Sequence, residues 1–590
     1  MLRLGHVARH RLALGSTRST LTSPGSRLVS VRSLTSSSPS SRHASYSLGW
    51  FVGAGVVFTG VTLLAQSPTL GLAGSPVYND SPESKDQKGE SLGTRLAGFF
   101  RKPPPVVEQR DIVLDTDLTV TSWKQQEQDA LLKAPGIMLW GSNKSGIVDP
   151  TGKAPGIVQI PQRLATFNGK VLRDLKLGDD FAAAVDDDGN VYQWGTGFNK
   201  DSHTPEITLK NRDIVQVTLC DSKLYGLSKD GASVFVMPKV RPATGPAKTA
   251  LEYQPPKASG GVWKIVSMAS GKTHMLMLTS SGRVFGSEDG LSISLVGSSE
   301  FKDSRILEIA CGEVHSLARD DQGRCWAWGV NGFGQLAMGA YSHAYLRLAQ
   351  PTLIKDIPGK KEGTSCVKVA AGGQTSFFVI EDENSAMYKV KSAGMGQWGQ
   401  LGDGTFTHIQ GSLVTIGPLS NLAEYKEEEK KMTPIGIHSL AIGSTHAFAV
   451  LDNAVQVDST LAHDTIVHGR DVFAWGQNTY FQLLTGKRSN KTEPVYALPL
   501  DSQLLKTAEE SLADIAQGKS QGATSLSTLP DATNRLQLTP ARLRRDMLVA
   551  SMDKAATAKS NTGPVSASDE MVELKITAGN GVSAVYCGTI

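Results

Sequence analysis

The 590-residue sequence is short of the residue patterns on which most protein chemistry depends. It holds five cysteines, Cys220, Cys311, Cys325, Cys366 and Cys587, with no CxxC pair and no metal-ligand spacing. That argues against a zinc module and a disulfide framework and predicts buried free thiols. No Ser/His/Asp or paired-carboxylate arrangement stands out, so no catalytic residues, no cofactor-binding residues and no metal ligands are assigned. Acids are missing from the first 79 residues, where Arg3, Arg9, Arg11, Arg18, Arg27, Arg32 and Arg42 face no Asp or Glu until Asp80. Much of the formal net charge of +4 therefore sits at the N-terminus. The remainder is close to neutral, and a nucleic-acid partner is not expected.

Residues 1–45 are rich in Arg and Ser, with Leu, Val and Ala between the basic positions. This is the composition of a mitochondrial transit peptide, whereas a secretory signal would need an apolar core near the start. The sequons Asn143-Lys144-Ser145 and Asn490-Lys491-Thr492 then lose their meaning as glycosylation sites. Residues 47–66, SLGWFVGAGVVFTGVTLLAQ, are uncharged. As a helix they would cross about 30 Å of hydrocarbon, with Trp50 at the edge where aromatic belts sit. Gly49 and Gly53 form a weak GxxxG pair. Arg before the span and Asp80, Glu83, Asp86 and Glu90 after it predict an N-terminus in the matrix and a C-terminal domain in the intermembrane space. Residues 67–120, with Pro103-Pro104-Pro105, read as a linker.

From residue 121 to 590 one weak unit recurs. A strand ending in glycine and a strand carrying histidine are followed by a polar turn and an aromatic strand ending Trp-Gly. One ruler is the glycine: Gly178, Asp221 as a substitution, Gly271, Gly312, Gly372, Gly443 and Gly579. The other is Trp-Gly or its relics: Trp140-Gly141, Trp194-Gly195, Phe285-Gly286, Trp328-Gly329, Ala393-Gly394 and Trp475-Gly476, with a degenerate copy near Phe235-Val236. Such a unit cannot bury its own apolar face, and a tandem array of this period predicts a propeller or solenoid. Asp187-Asp188-Gly189-Asn190 and Lys229-Asp230-Gly231 are hairpin turns.

The clearest copy, Cys325 to Leu336, reads CWAWGVNGFGQL, and Trp328–Leu336 matches WGxNxxGQL. Gly399-Gln400-Leu401-Gly402 and Trp140-Gly141-Ser142-Asn143 match in part. These units resemble regulator-of-chromosome-condensation repeats, and the resemblance implies an all-β, seven-bladed β-propeller. Phe481 stands where the pattern wants the glycine before Gln482-Leu483.

Several stretches depart from the repeat. Pro238 to Gly261 is a Pro/Lys-rich loop, and Tyr425 to Lys431 is a charge cluster that predicts a solvated helix. Residues 504–567 read as an insertion in the last blade. Within it Thr539-Pro540 predicts a helix start, with Leu543, Met547 and Ala550 along one face. Trp123 to Lys133 also has helical composition.

Two apparent nucleotide motifs fail on context. Gly394-Met395-Gly396-Gln397-Trp398-Gly399 matches GxGxxG, but the residues after it cannot start a helix. Gly271-Lys272-Thr273 ends like a P-loop whose first glycine would fall at Val266. His274, His315 and His446 share one slot of the repeat. Matched slots spread around a ring, so a repeated structural hydrogen bond is expected rather than a metal site.

The layout of leader, span and divergent repeats is similar to mitochondrial inner-membrane members of the family. It implies a non-enzymatic scaffold or assembly factor, with subunits or assembly factors of respiratory complex III (cytochrome bc1) as partners. The family also implies an alternative, guanine-nucleotide exchange on a mitochondrial dynamin-type GTPase. A mitochondrial ribosome- or RNA-binding factor is a third reading, which the near-neutral repeats disfavour.

Overall fold

Short runs of Val, Ile, Leu and Phe bounded by glycine turns pair locally into antiparallel hairpins. Asp187-Asp188-Gly189-Asn190 joins Ala182–Asp186 to Val191–Trp194, with Gly189 at φ +77°, a conformation open to glycine at no steric cost. The computed structural model describes residue 131 and residues 134–242, 251–253, 264–287, 292–339, 346–426, 429–458, 465–500, 535–540, 542–543 and 571–590. The chain divides into two compact units, Met1–Asp111 and Ile112–Ile590, and every described residue lies in the second. Among the described residues no helix is long and apolar enough to cross a membrane. The transit peptide 1–45, the span 47–66 and the linker 67–120 lie outside the described residues.

The second unit is an all-β propeller of four-stranded antiparallel meanders. Four separate four-stranded sheets begin with the strands Ile214–Leu219, Ile265–Ser270, Ile306–Cys311 and Thr364–Gly372. A fifth sheet begins with Ile437–Ile442 and gains a short extra strand, Gln537–Leu538, on Arg470 and Asp471. Apart from two separate two-stranded hairpins, the remaining described strands form a nine-stranded sheet that contains two meanders. One begins with Leu172–Leu177. The other is composite: Met571–Ala578 and Val582–Thr589 from the C-terminus pair onward to Ile137–Ser142 and Ile157–Arg163 from the beginning of the unit. A single parallel bridge, Leu172 to Gly588, joins the two. We number the meanders one to seven, starting at Leu172–Leu177 and ending with the composite one.

Each inner strand packs on the next, and the seventh packs on the first. The core is accordingly not one globule but a series of wedges between successive meanders. Trp140 of meander seven meets Phe448 of meander six edge-on at 6.4 Å, and Trp475 of meander six meets Phe377 of meander five at 5.9 Å. Trp140, Trp194 and Trp475 are fully buried, each worth roughly 5 kcal/mol of gross apolar transfer. Their indole Nε1–H groups donate to Gln482, Ile147 and Gln400 carbonyls at 2.9–3.0 Å, which removes the penalty of burying a donor.

Three local expectations are corrected. The Tyr425 to Lys431 cluster forms no described helix: Ala423–Lys426 and Lys431–Pro434 are a hairpin in register Tyr425↔Met432. The alternation of Ala423, Tyr425, Met432 and Pro434 with polar residues has the strand period, and cross-strand pairing overrides the helical preference of Glu and Lys. Thr539-Pro540 starts no helix through Leu543, because Gln537–Leu538 and Arg542–Leu543 are strands paired to Arg470-Asp471 and to Met571-Val572, while Met547 and Ala550 lie outside the described residues. The 504–567 segment therefore returns to the sheets midway, between meanders six and seven. Finally, Cys220 and not Asp221 takes the glycine slot of meander two. Its N–H donates to the Lys223 carbonyl just as Gly271, Gly312 and Gly443 donate to His274, His315 and His446.

Candidate functional site

The inner strands of the meanders numbered among the described residues line a central channel of about 680 Å³, with Ala269, Ala310, Ala370, Ala371, Ala441 and Ala578 on its wall. The glycine slots stand at one end. A Cβ on Gly312 would run into the His315 ring, and one on Gly372 would lie 2.6 Å from the Gly443 carbonyl oxygen. Glycine recurs there because neighbouring meanders meet backbone to backbone. Their N–H groups link sideways around the ring, Asp221 to the Lys272 carbonyl, Lys272 to Glu313 and Glu313 to Gly373.

The three slot histidines take up the expected structural bond, and each makes it across a joint. His274 Nε2 meets Ser316 Oγ at 2.9 Å, His315 Nε2 meets Ser376 Oγ at 2.8 Å and His446 Nε2 meets Ser583 Oγ at 2.9 Å. Ser376 and Ser583 donate their hydroxyl hydrogens to the Gln335 and Gln482 carbonyls, at 2.6 and 3.0 Å. Their oxygens therefore accept from histidine, which fixes the Nε2–H tautomer in both rings. Burial pushes both imidazoles down to about 3, with the His274 charge adding to the effect at His315, so they stay neutral.

The Asn-x-x-Gly-Gln-Leu turn is likewise self-contained. The Leu336 and Leu483 N–H groups donate to Asn331 and Asn478 Oδ1 at 2.9 and 3.0 Å. Phe333, Trp398 and Tyr480 N–H groups donate to Gln335, Gln400 and Gln482 Oε1 at 2.8–3.0 Å. The GxGxxG stretch ends the strand Met387–Gly396 and runs into this turn, with no helix after it. All five cysteines are free thiols, and burial raises Cys220 to about 11 and Cys311 to about 12, so neither offers a thiolate at neutral pH. Asp186, Asp187 and Asp188 cluster in a turn, where Asp186 accepts from Asn190 N–H, Tyr192 Oη–H and Lys170.

The glycine-end mouth is charged on one side. Lys272 of meander three pairs closely with Glu313 of meander four and lies 3.8 Å from Asp179 of meander one, reaching past meander two. The Glu313 carboxylate holds its ammonium above the usual lysine range. Lys239 pairs with Asp180 at 2.6 Å. In the sequence Lys272 reads only as part of a failed P-loop, and this cross-mouth pairing is invisible there because its partners Asp179 and Glu313 lie in two other repeats. A second network joins meanders six and seven, where Glu573 receives Arg470 at 3.0 Å and His438 at 3.5 Å. Burial alone would raise Glu573, but these partners hold its carboxyl below the usual range.

Two family models, both described as the regulator of chromosome condensation (RCC1) repeat, match residues 306–335 and 322–379 respectively. Protein FMP25, mitochondrial, of Saccharomyces cerevisiae is 24% identical over 443 residues, covering 64% of this chain and 67% of that protein. The mitochondrial RCC1 domain-containing protein RUG3 of Arabidopsis thaliana is 23% identical over 350 residues, covering 54% and 73%. Among solved structures, human WBSCR16 aligns at 16% identity over 78% of this chain and 100% of that one, with a TM-score of 0.48. Residues 306–379 of this β-propeller match the regulator-of-chromosome-condensation repeat, and the chain is similar to two mitochondrial proteins, one of them named for its RCC1 domain.

Proposed function

We propose that this chain is a mitochondrial, non-enzymatic scaffold or assembly factor whose seven meanders are the blades of one propeller. The observation that carries the reading is where its reactive residue types sit. His315, His446 and the indoles of Trp140, Trp194 and Trp475 are engaged in joints between meanders, the motif amides are used up inside their own turns, Cys220 and Cys311 are held protonated, and alanines recur along the channel wall. Such a molecule offers surfaces rather than a reaction centre. Two mitochondrial relatives support the compartment. The uncharged stretch 47–66 supports anchoring at the inner membrane, with the propeller in the intermembrane space. Respiratory complex III subunits or their assembly factors are the proposed partners, and no cofactor is assigned.

The test is affinity purification of the full chain from solubilised mitochondria, with partners identified by mass spectrometry. Cytochrome bc1 subunits or their assembly factors are expected. Recovery of a dynamin-type GTPase held in its nucleotide-free form, or of ribosomal proteins with rRNA, would replace this reading.

A further inference from the structure

The channel mouth opposite the glycine ring is built differently. In meanders one to six the inner strand carries a one-residue irregularity near its start, between Leu172 and Asp174, Ile214 and Gln216, Ile265 and Ser267, Ile306 and Glu308, Cys366 and Lys368, and Ile437 and Ser439. A bulge leaves its extra residue out of the ladder and re-aims the side chain. The residue after it ties the joint. The Val217, Met268 and Val369 N–H groups donate to Asp174 Oδ2, Gln216 Oε1 and Glu308 Oε2 at 2.8–3.1 Å. The bulged residue itself is left for another purpose.

In meanders two to five that residue is aliphatic: Val215, Val266, Leu307 and Val367. Val266 is 55% and Leu307 42% exposed, on adjacent meanders and at the same slot. On the flanking meanders the slot is Arg173 and His438, so the apolar arc ends on both sides at polar residues. An aliphatic patch rimmed by polar groups marks a contact site rather than scattered surface residues. Two residues before each exposed aliphatic, just ahead of its strand, stands an exposed cation: Lys264 before Val266 and Arg305, which also donates to the Ser280 carbonyl, before Leu307. Adjacent repeats thus present the same pair, a positive head beside an aliphatic side chain. This end contrasts with the glycine-end mouth, where Asp179, Asp180, Asp221 and Glu313 outnumber Lys239 and Lys272.

We propose that the bulge-end mouth over meanders three and four docks a protein segment that presents aliphatic side chains flanked by carboxylates. Two apolar side chains of the segment cover Val266 and Leu307, and its acids face Lys264 and Arg305. The inference rests on the scaffold reading and names the surface and the chemistry of the partner. Charge complementarity of this kind sets register and on-rate, while the aliphatic pair supplies the dehydrated centre of the contact.

The test places a photo-cross-linking amino acid at Val266 of the full-length chain in mitochondria and maps the captured peptide. A protein segment with Asp or Glu beside Leu, Ile, Val or Met is expected. Its yield should fall at least about tenfold in the double variant Lys264→Glu/Arg305→Glu, one decade being about 1.4 kcal/mol, with an unchanged melting temperature. Capture of lipid or nucleic acid, of a segment without flanking acids, or of nothing, overturns the proposal, as does a yield that the charge reversal leaves intact. Co-purification by a Val266→Asp/Leu307→Asp variant separates the two readings. If partners persist at wild-type level, this surface is wrong and the scaffold reading stands. If wild type and variant both retain none, both readings fail.

Discussion

At the residue scale, the repeat's signature side chains act as joints, and their chemistry makes them measurable. His315 and His446 hold their Nε2–H on serines of the following meander and resist protonation down to about 3. In the unfolded chain a histidine takes its proton near pH 6.5. The native-state advantage is therefore complete above about 6.5 and is lost as pH falls from there toward 3, at about 1.4 kcal/mol per histidine per pH unit. Thermal melts at pH 7, 6 and 5 should show a steadily falling midpoint, and the double variant His315→Gln/His446→Gln should show a shallower fall. An equal slope in the two proteins would mean the rings already bear a proton in the fold. The same scale explains a departure from the repeat. Phe481 holds φ +62° where Gly334 and Gly399 hold +85° and +82°, a conformation that costs a non-glycine residue about 1–2 kcal/mol. Phe481 is 8% exposed, so its burial offsets that cost.

At the scale of elements, the telling piece is the segment around Arg535 to Pro540, which adds a short extra strand to meander six. Asp471 anchors it: Arg535 Nε and Gln537 Nε2 donate to Asp471 Oδ1 at 2.6 and 2.9 Å, while Asn453 Nδ2 donates to Oδ2 at 2.8 Å. Leu536 and Leu538 enter the wedge between meanders six and seven. Asp471→Ala removes the shared acceptor and leaves the half-buried Arg535 guanidinium without that carboxylate, at a cost of about 1–3 kcal/mol. Hydrogen exchange should show lost protection at Leu536 and Leu538 together with a lower melting temperature. Retained protection at both amides would show that apolar packing alone holds the segment.

At the scale of the second unit, the composite meander rests on pairing between strands from the first and last described parts of that unit. Val582–Thr589 lies between Met571–Ala578 and Ile137–Ser142 and pairs with both. Deleting residues 579–590 should strip Ile137–Ser142 of that neighbour and open the wedge holding Trp140. A single cooperative melt should then give way to a broad one, because each wedge needs both of its walls. A truncated chain that still melts sharply would show that the other joints suffice to hold the ring.

How much of this was legible depends on the range of the interaction. Repeat period, hairpin turns such as Asp187-Asp188-Gly189 and the self-contained Asn331–Leu336 turn are local, and the sequence by itself determined them. It also narrowed the class to a propeller or solenoid, since a unit of short strands with one apolar side must bury that side against its copies, and the resemblance of the repeat implied the propeller. Only the tertiary structure decided what each signature residue touches. Ser376 as the partner of His315, Lys272 reaching Asp179 and Glu313, and strands in place of helices at Tyr425 and Thr539 all depend on neighbours distant in sequence. Cys220 in the glycine slot was hidden because a backbone hydrogen bond, not a residue type, defines the slot. The bulges that expose Val266 and Leu307 are invisible in the pattern for the same reason: register exists only between paired strands.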